Sequence, residues 1–158
     1  MKRARELQNY AWIGGAILLL DRITKWIVLH YLENEYICTS FLSFDLVVNR
    51  GISWGMFHST NQAMFMLVTT LVMGVIVFLI SHAYTRWSDS FAIYGEIMVL
   101  AGALSNLFDR FMYRGVIDFI EVTTGKYVWP SFNVADIAIF FGVMLMLISV
   151  YSDRETKK

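Results

Sequence analysis

From Gly51 to Thr85 the chain carries no Asp, Glu, Lys or Arg, and within that interval Gln62 to His82 is an almost unbroken run of Val, Leu, Met, Ile and Phe. A helix over that run can cross a hydrocarbon core about 30 Å thick, and it is the clearest transmembrane signal in the sequence. Composition agrees. The chain of 158 residues is 57% hydrophobic and 16% charged, whereas an ordinary soluble domain is about 45–50% apolar and about 25% charged. Its 13 Lys and Arg balance 13 Asp and Glu, so no basic field draws nucleic acid toward it. The lone cysteine, Cys38, excludes an internal disulfide and a zinc site built on paired thiolates.

Three further segments read as spans. Residues 91–107 carry one acid, Glu96, and residues 134–151 carry one, Asp136. Each is long enough to cross if its acid lies near an end or faces protein. The first, residues 11–29, follows Lys2, Arg3 and Arg5 as a signal peptide would, but Asp21, Arg22 and Lys25 interrupt it, which predicts a retained span. With four spans both termini share one side. The basic residues there, Lys2, Arg3, Arg5, Arg86, Arg154, Lys157 and Lys158, outnumber Arg50, Arg110, Arg114 and Lys126 opposite, so the termini are expected in the cytoplasm. The two long loops, 31–61 and 108–133, then face outward, and Phe44 to Val48 alternates like a short surface strand. The expected fold is an all-α polytopic membrane protein: one domain over 1–158, four transmembrane helices and a small extracytoplasmic β-containing element.

The remaining polar residues gather near the outer ends of these spans. Asp118 lies in Gly115-Val-Ile-Asp-Phe-Ile, and Asp136 in Phe132-Asn-Val-Ala-Asp. Two carboxylates in a dry site cannot easily both ionise, so one keeps a proton while the other accepts one from water. The plainer alternatives are an exposed loop acid at Asp118, and at Asp136 the acidic position of a helix start capped by Asn133. Asn106, Asp109 and Arg110 share a helical face if the third helix persists that far, with Gly102 permitting close helix contact before them. Arg110 can hold a carboxylate, a carbonyl or a lipid phosphate, or pair with Asp109 as a helix terminator. Asp21 lies about 15 Å into its span, at a depth that costs on the order of 2.5–3.5 kcal/mol for a charge, so it faces protein, with Lys25 one turn later as its partner. Gly51-Ile-Ser-Trp-Gly55 matches the Gly-x-Ser-x-Gly pattern of hydrolases but has no downstream acid before His58 or His82, so a tight turn beside Asn49 is the better reading.

Asp21-Arg-Ile-Thr-Lys25, Asn49-Arg-Gly51, Gly102-Ala-Leu-Ser-Asn-Leu-Phe-Asp-Arg110, Gly115-Val-Ile-Asp-Phe-Ile120 and Phe132-Asn-Val-Ala-Asp136, in that order, resemble the motif set of the lipoprotein signal peptidase (signal peptidase II) family. The resemblance covers essentially the whole chain. Ser105 stands where a glycine is usual, and Ile52-Ser53-Trp54 replaces a commoner Ala-Ala-Phe-like run. The resemblance implies a membrane aspartic peptidase of the bacterial cytoplasmic membrane, with Asp118 and Asp136 as the catalytic pair near the outer face. Asn49, Asn106, Arg110 and Asn133 would surround them, with Gly102, Asp21 and Lys25 as support. It further implies a diacylglyceryl-modified prolipoprotein as substrate, cut on the amino side of the lipidated cysteine, with membrane lipids around a monomer and no metal or cofactor required. A helix-start position for Asp136 favours its ionised form and leaves the resting proton on Asp118. A small transporter, with Asp21, Glu96 and Asp136 along an ion path, is the competing class.

Overall fold

The computed structural model describes residues 2–51 and 61–156, in which four long helices accompany a four-stranded antiparallel sheet. The helices are α1 (Lys2–Tyr31), α2 (Gln62–Ser88), α3 (Tyr94–Tyr113) and α4 (Val134–Thr156). The strands are β1 (Tyr36–Ile37), β2 (Leu42–Asn49), β3 (Val116–Thr124) and β4 (Tyr127–Val128), ordered β1-β2-β3-β4. The helix α1 starts well before Ala11, because residues 2–10 include Arg, Glu, Leu and Gln, which favour helix without needing burial. The expected strand is present within β2. The strand β3, where alternation gives no signal, is an addition. Its first four residues, Val116 to Phe119, are all buried, so both faces of the strand are enclosed and the period of two disappears from the sequence.

Burial is inverted relative to a water-soluble protein. Leu20 and Ile23 of α1, Val77 and Phe78 of α2, and Phe140 and Leu147 of α4 are exposed, while Asp21, Lys25, Glu96, Asp109 and Arg110 are buried. Lipid tails are a good solvent for the first set and a poor one for the second. Two helices, α2 and residues 134–151 of α4, are long and apolar enough to cross a membrane, and most of each is exposed rather than enclosed by protein. At the end of the bundle away from β3, Glu96 of α3 pairs with Arg86 of α2 at 2.8 Å, and Arg86 also donates to Ser149 Oγ of α4 at 3.0 Å. That pair lets a buried acid sit inside an apolar bundle and ties three helices together.

Two local features aim β3 at the helices. Arg114 caps α3 in the left-handed conformation (φ 58°), and a Cβ on Gly115 would come within 2.6 Å of Val48 Cγ1. The turn therefore sets β3 directly against β2, with Val47 opposite Asp118. On the other side, Phe132 bonds to Ile120 in both directions (2.9 and 3.0 Å), which brings the start of α4 alongside β3.

The helices α3 and α4 cross where neither has a side chain. A Cβ on Gly142 would lie 2.8 Å from the Gly95 carbonyl oxygen and 2.9 Å from Val99 N, so the backbones themselves would have to part. Gly142→Ala is expected to destabilise the protein by about 1–3 kcal/mol, seen as a lower midpoint of thermal unfolding in detergent. Gly74→Ala, where nothing lies within 4 Å of the added methyl, is expected to leave that midpoint unchanged or slightly raised.

Candidate active site

Three asparagines surround two acids, and each is oriented by a partner that can bond in only one way. The Asn49 carbonyl oxygen accepts from the Gly51 amide at 2.9 Å, so its Nδ2 faces Asp118 Oδ2, also at 2.9 Å. The Asn133 oxygen accepts from the Asp136 amide at 2.9 Å, so its Nδ2 faces Asp118 Oδ1 at 2.6 Å. The Asn106 oxygen accepts from Lys25 Nζ at 2.9 Å, and an ammonium only donates, so its Nδ2 is turned to Asp136 Oδ1 at 2.9 Å. The Asn133 amide completes a reciprocal cap by donating to Asp136 Oδ2 at 3.3 Å. Asn133 thus touches both acids, and Asp136 serves as helix cap and site acid at once.

Behind the asparagines lies an ion network shared by α1 and α3. Lys25 Nζ stands 2.8 Å from Asp21 Oδ2 and 2.7 Å from Asp109 Oδ2. Arg22 reaches Asp21 at 3.0 Å and Asp109 at 2.7 Å. These carboxylates also hold backbone: Asp21 Oδ1 accepts from the Ala135 amide at 2.9 Å, and Asp109 Oδ2 from the Ile117 amide at 3.2 Å. Each bond therefore fixes the residue that precedes one of the two site acids.

Both acids line a cavity of about 320 Å³ whose polar side is made by Asn49, Asn106 and Arg110 and whose apolar side includes Leu71, Val75, Ile76, Val99 and Ile139. Arg110 does not pair with Asp109. Its Nη2 donates to the Gly51 carbonyl, its guanidinium lies 5.7 Å from the Phe65 ring centre, and its buried Nη1 has no partner among the described residues. A second cavity of about 320 Å³, along the other side of α4 between Trp129, Phe132 and Phe140, also reaches Asp136. A larger one of about 760 Å³ lies between the end of α1 and the sheet, against Tyr31, Phe44 and Phe119, and contains neither acid. Among the described residues no cluster of three or more His, Cys, Asp or Glu is placed to hold a metal ion.

Burial and the nearby Asp136 carboxylate push the pKa of Asp118 from 3.8 up to about 7, against the pull of its two amide donors. Such a group titrates in the range where a general acid works best.

The family model described as signal peptidase (SPase) II matches residues 13–152 of this chain. The chain belongs to the signal peptidase II family. It is 36% identical over 152 residues to a lipoprotein signal peptidase of Listeria monocytogenes, covering 94% of this chain and 97% of that one. It is 36% identical over 145 residues to a lipoprotein signal peptidase of Geobacillus kaustophilus, covering 90% and 92%. Its fold is that of a bacterial membrane enzyme solved by the in meso method, with a TM-score of 0.77 at 23% identity over 96% of this chain and 92% of the other. A second such structure gives 0.73 at 24% identity, covering 90% and 92%. Membership in signal peptidase II makes the chain a peptidase and a bacterial membrane enzyme.

The structure brings the residues named for the peptidase site to one end of the bundle, with Glu96 of the alternative ion path at the other. Asp118, Asp136, Asn49, Asn106 and Arg110 share one cavity. Asn133 stands between the acids, while Asp21 and Lys25 act on them through Ala135 and Asn106. Gly102 lets α4 approach, since a Cβ there would fall 2.5 Å from the Ala135 carbonyl oxygen. Of the Gly51–Gly55 turn, only Gly51 is among the described residues. Sequence pattern assigns Arg22 and Ser105 no place in the site and offers Asp109 only as a partner for Arg110. The available signal was Arg22 itself, a second cation beside Asp21 at a depth where one already needs a partner.

The Asp118 shift has a consequence for stability. Below about pH 4 the group is protonated folded or unfolded and costs nothing. Between about pH 4 and about pH 7 the folded form holds a proton that the unfolded form has lost, so stability falls as pH rises, by a few kcal/mol in order of magnitude, and then levels off. Thermal unfolding of the detergent-solubilised protein is expected to show that decline, and Asp118→Asn to remove this component of the slope.

Proposed function

We propose that this chain is a membrane aspartic endopeptidase that removes the signal peptide from diacylglyceryl-modified prolipoproteins, cutting on the amino side of the lipidated cysteine. The observation that carries the reading is the pair Asp118 and Asp136 on one apolar-walled cavity, linked through Asn133 and surrounded by amide donors. Family membership supports the substrate class, because the curated relatives are lipoprotein signal peptidases. In this reading the chain is a single domain that crosses the bacterial cytoplasmic membrane four times as a monomer, with both termini cytoplasmic and the acids near the outer face.

The chemistry follows from the unequal settings of the two acids. Asp118, with a pKa near 7, holds the resting proton. Both of its oxygens already accept from amides, so the proton is available to the open side, where it polarises the scissile carbonyl. Asp136 takes a proton from the attacking water, and the amine leaves with a proton returned by the pair. Arg110 Nη1, buried without a partner among the described residues, supplies a charged donor to a substrate carbonyl or ester oxygen. The apolar wall of α2, α3 and α4 suits a transmembrane signal segment, and the cavity across α4 suits an acyl chain of the modified cysteine.

The test is cleavage of a diacylglyceryl-modified prolipoprotein by purified protein in detergent. Asp118→Asn and Asp136→Asn, folded as judged by thermal unfolding, are each expected to lose at least about a hundredfold in kcat; near-normal cleavage by either overturns the assignment. Arg110→Lys is expected to cost about tenfold or more despite keeping the charge, because a point ammonium cannot hold the Gly51 carbonyl and substrate together. An undiminished rate would make Arg110 an anchor of the loop alone.

A further inference from the structure

We infer that Arg22, seated by Ser105, is a positioning residue of the active site, a two-armed brace that sets the spacing of the backbone segments carrying Asp118 and Asp136. The inference rests on the reading of those acids as the reacting pair. Its geometry is independent of that reading. One arm of Arg22, Nη2, meets Asp21 Oδ2 at 3.0 Å, and the other, Nη1, meets Asp109 Oδ1 at 2.7 Å. Each of these carboxylates holds, through an oxygen, the amide of the residue just before a site acid: Asp21 holds Ala135, and Asp109 holds Ile117. The guanidinium is planar and rigid, so the distance between its arms is carried through two carboxylates to two backbone points.

Ser105 holds the fork in place. Its hydroxyl donates to Asp21 Oδ2 at 2.6 Å and accepts from Arg22 Nε at 3.0 Å, and the residue is almost wholly buried. A glycine, usual at this place in the family's motif, could do neither. Lys25 also bridges the two carboxylates, but it is a single charge against two, and its third donor is committed to Asn106. Arg22 makes the network neutral and fixes its angles, with its free face lying 5.0 Å over the Phe108 ring.

The test uses the full-length protein in detergent micelles. Hydrogen exchange reads the brace without reference to activity: Arg22→Gln is expected to speed exchange at the Ala135 and Ile117 amides by about tenfold or more while the mid-helix amides of α2 keep their rates. With the lipidated prolipoprotein, Arg22→Gln is expected to lower kcat about ten- to hundredfold with KM little changed, since a misplacement of about 1 Å costs that much. Arg22→Lys, which restores charge without the fork, is expected to recover thermal stability but only part of kcat. Ser105→Ala is expected to shift exchange and kcat the same way by a smaller factor, and it carries the test if Arg22→Gln does not fold. Wild-type exchange at both amides with wild-type kcat overturns the inference. So does full recovery of kcat in Arg22→Lys, which would make charge alone the requirement. If the wild type cleaves no lipidated substrate while the exchange result holds, the peptidase reading fails and the positioning role fails with it, leaving a brace that is structural only.

Discussion

Lys25 sits between two fully buried carboxylates, and most of the site depends on that contact. An ammonium at this depth is tolerable only because Asp21 and Asp109 lie within 2.8 Å of it, and they are tolerable only because it is there. Removing one partner of such a buried cluster costs about 3–5 kcal/mol. The helices α1 and α3 are joined by charge at the level where apolar packing alone would not distinguish one rotation of a helix from another. Once joined, their carboxylates have lone pairs to spare, and these accept the Ala135 and Ile117 amides. A stability element thereby becomes a coordinate frame for the two acids.

The same ammonium acts a second time, through an amide. Because it can only donate, it fixes the Asn106 oxygen and turns the Asn106 amino group toward Asp136. Backbone amides do the equivalent for Asn49 and Asn133. The three asparagines therefore present donors, not acceptors, without any need for the acids to choose their orientation. Such preset dipoles suit a site where charge moves between two carboxylates, since nothing has to rotate when it does.

The helical part of the fold was legible in the sequence because it is written in the absence of charge. The α2 and α4 runs are apolar enough to announce themselves, and the i, i+3, i+4 spacing of Asn106, Asp109 and Arg110 placed them on one face, as found. The sheet was half legible: β2 alternates, whereas the buried start of β3 hides Asp118 in a run that reads equally as loop. The acids, the asparagines and Lys25 were legible through motif order, but Arg22 and Ser105 were not. Adjacent residues such as Asp21 and Arg22 point in different directions on an ideal helix, so their meeting depends on a long, bent side chain reaching Asp109 and Ser105 on α3. Only the packing of α1 on α3 reveals that pairing.

Cavity size and chemical character part company in this protein. The space of about 760 Å³ beside Tyr31, Phe44 and Phe119 is larger than the one holding the acids, yet none of the residues lining it carries a buried side-chain nitrogen or oxygen without a partner among the described residues. The smaller cavity contains a carboxyl held near neutrality by burial and a neighbouring acid, together with a buried guanidinium nitrogen that has no partner among the described residues. Each is a local loss of stability that an apolar or better-paired residue would remove. On the proposed function, a fold that keeps two such losses side by side, within a frame of ion pairs and amide donors, is arranged around the substrate that enters that cavity. On that proposal, the substrate supplies what the resting protein lacks: an oxygen for the guanidinium and a carbonyl for the proton of Asp118.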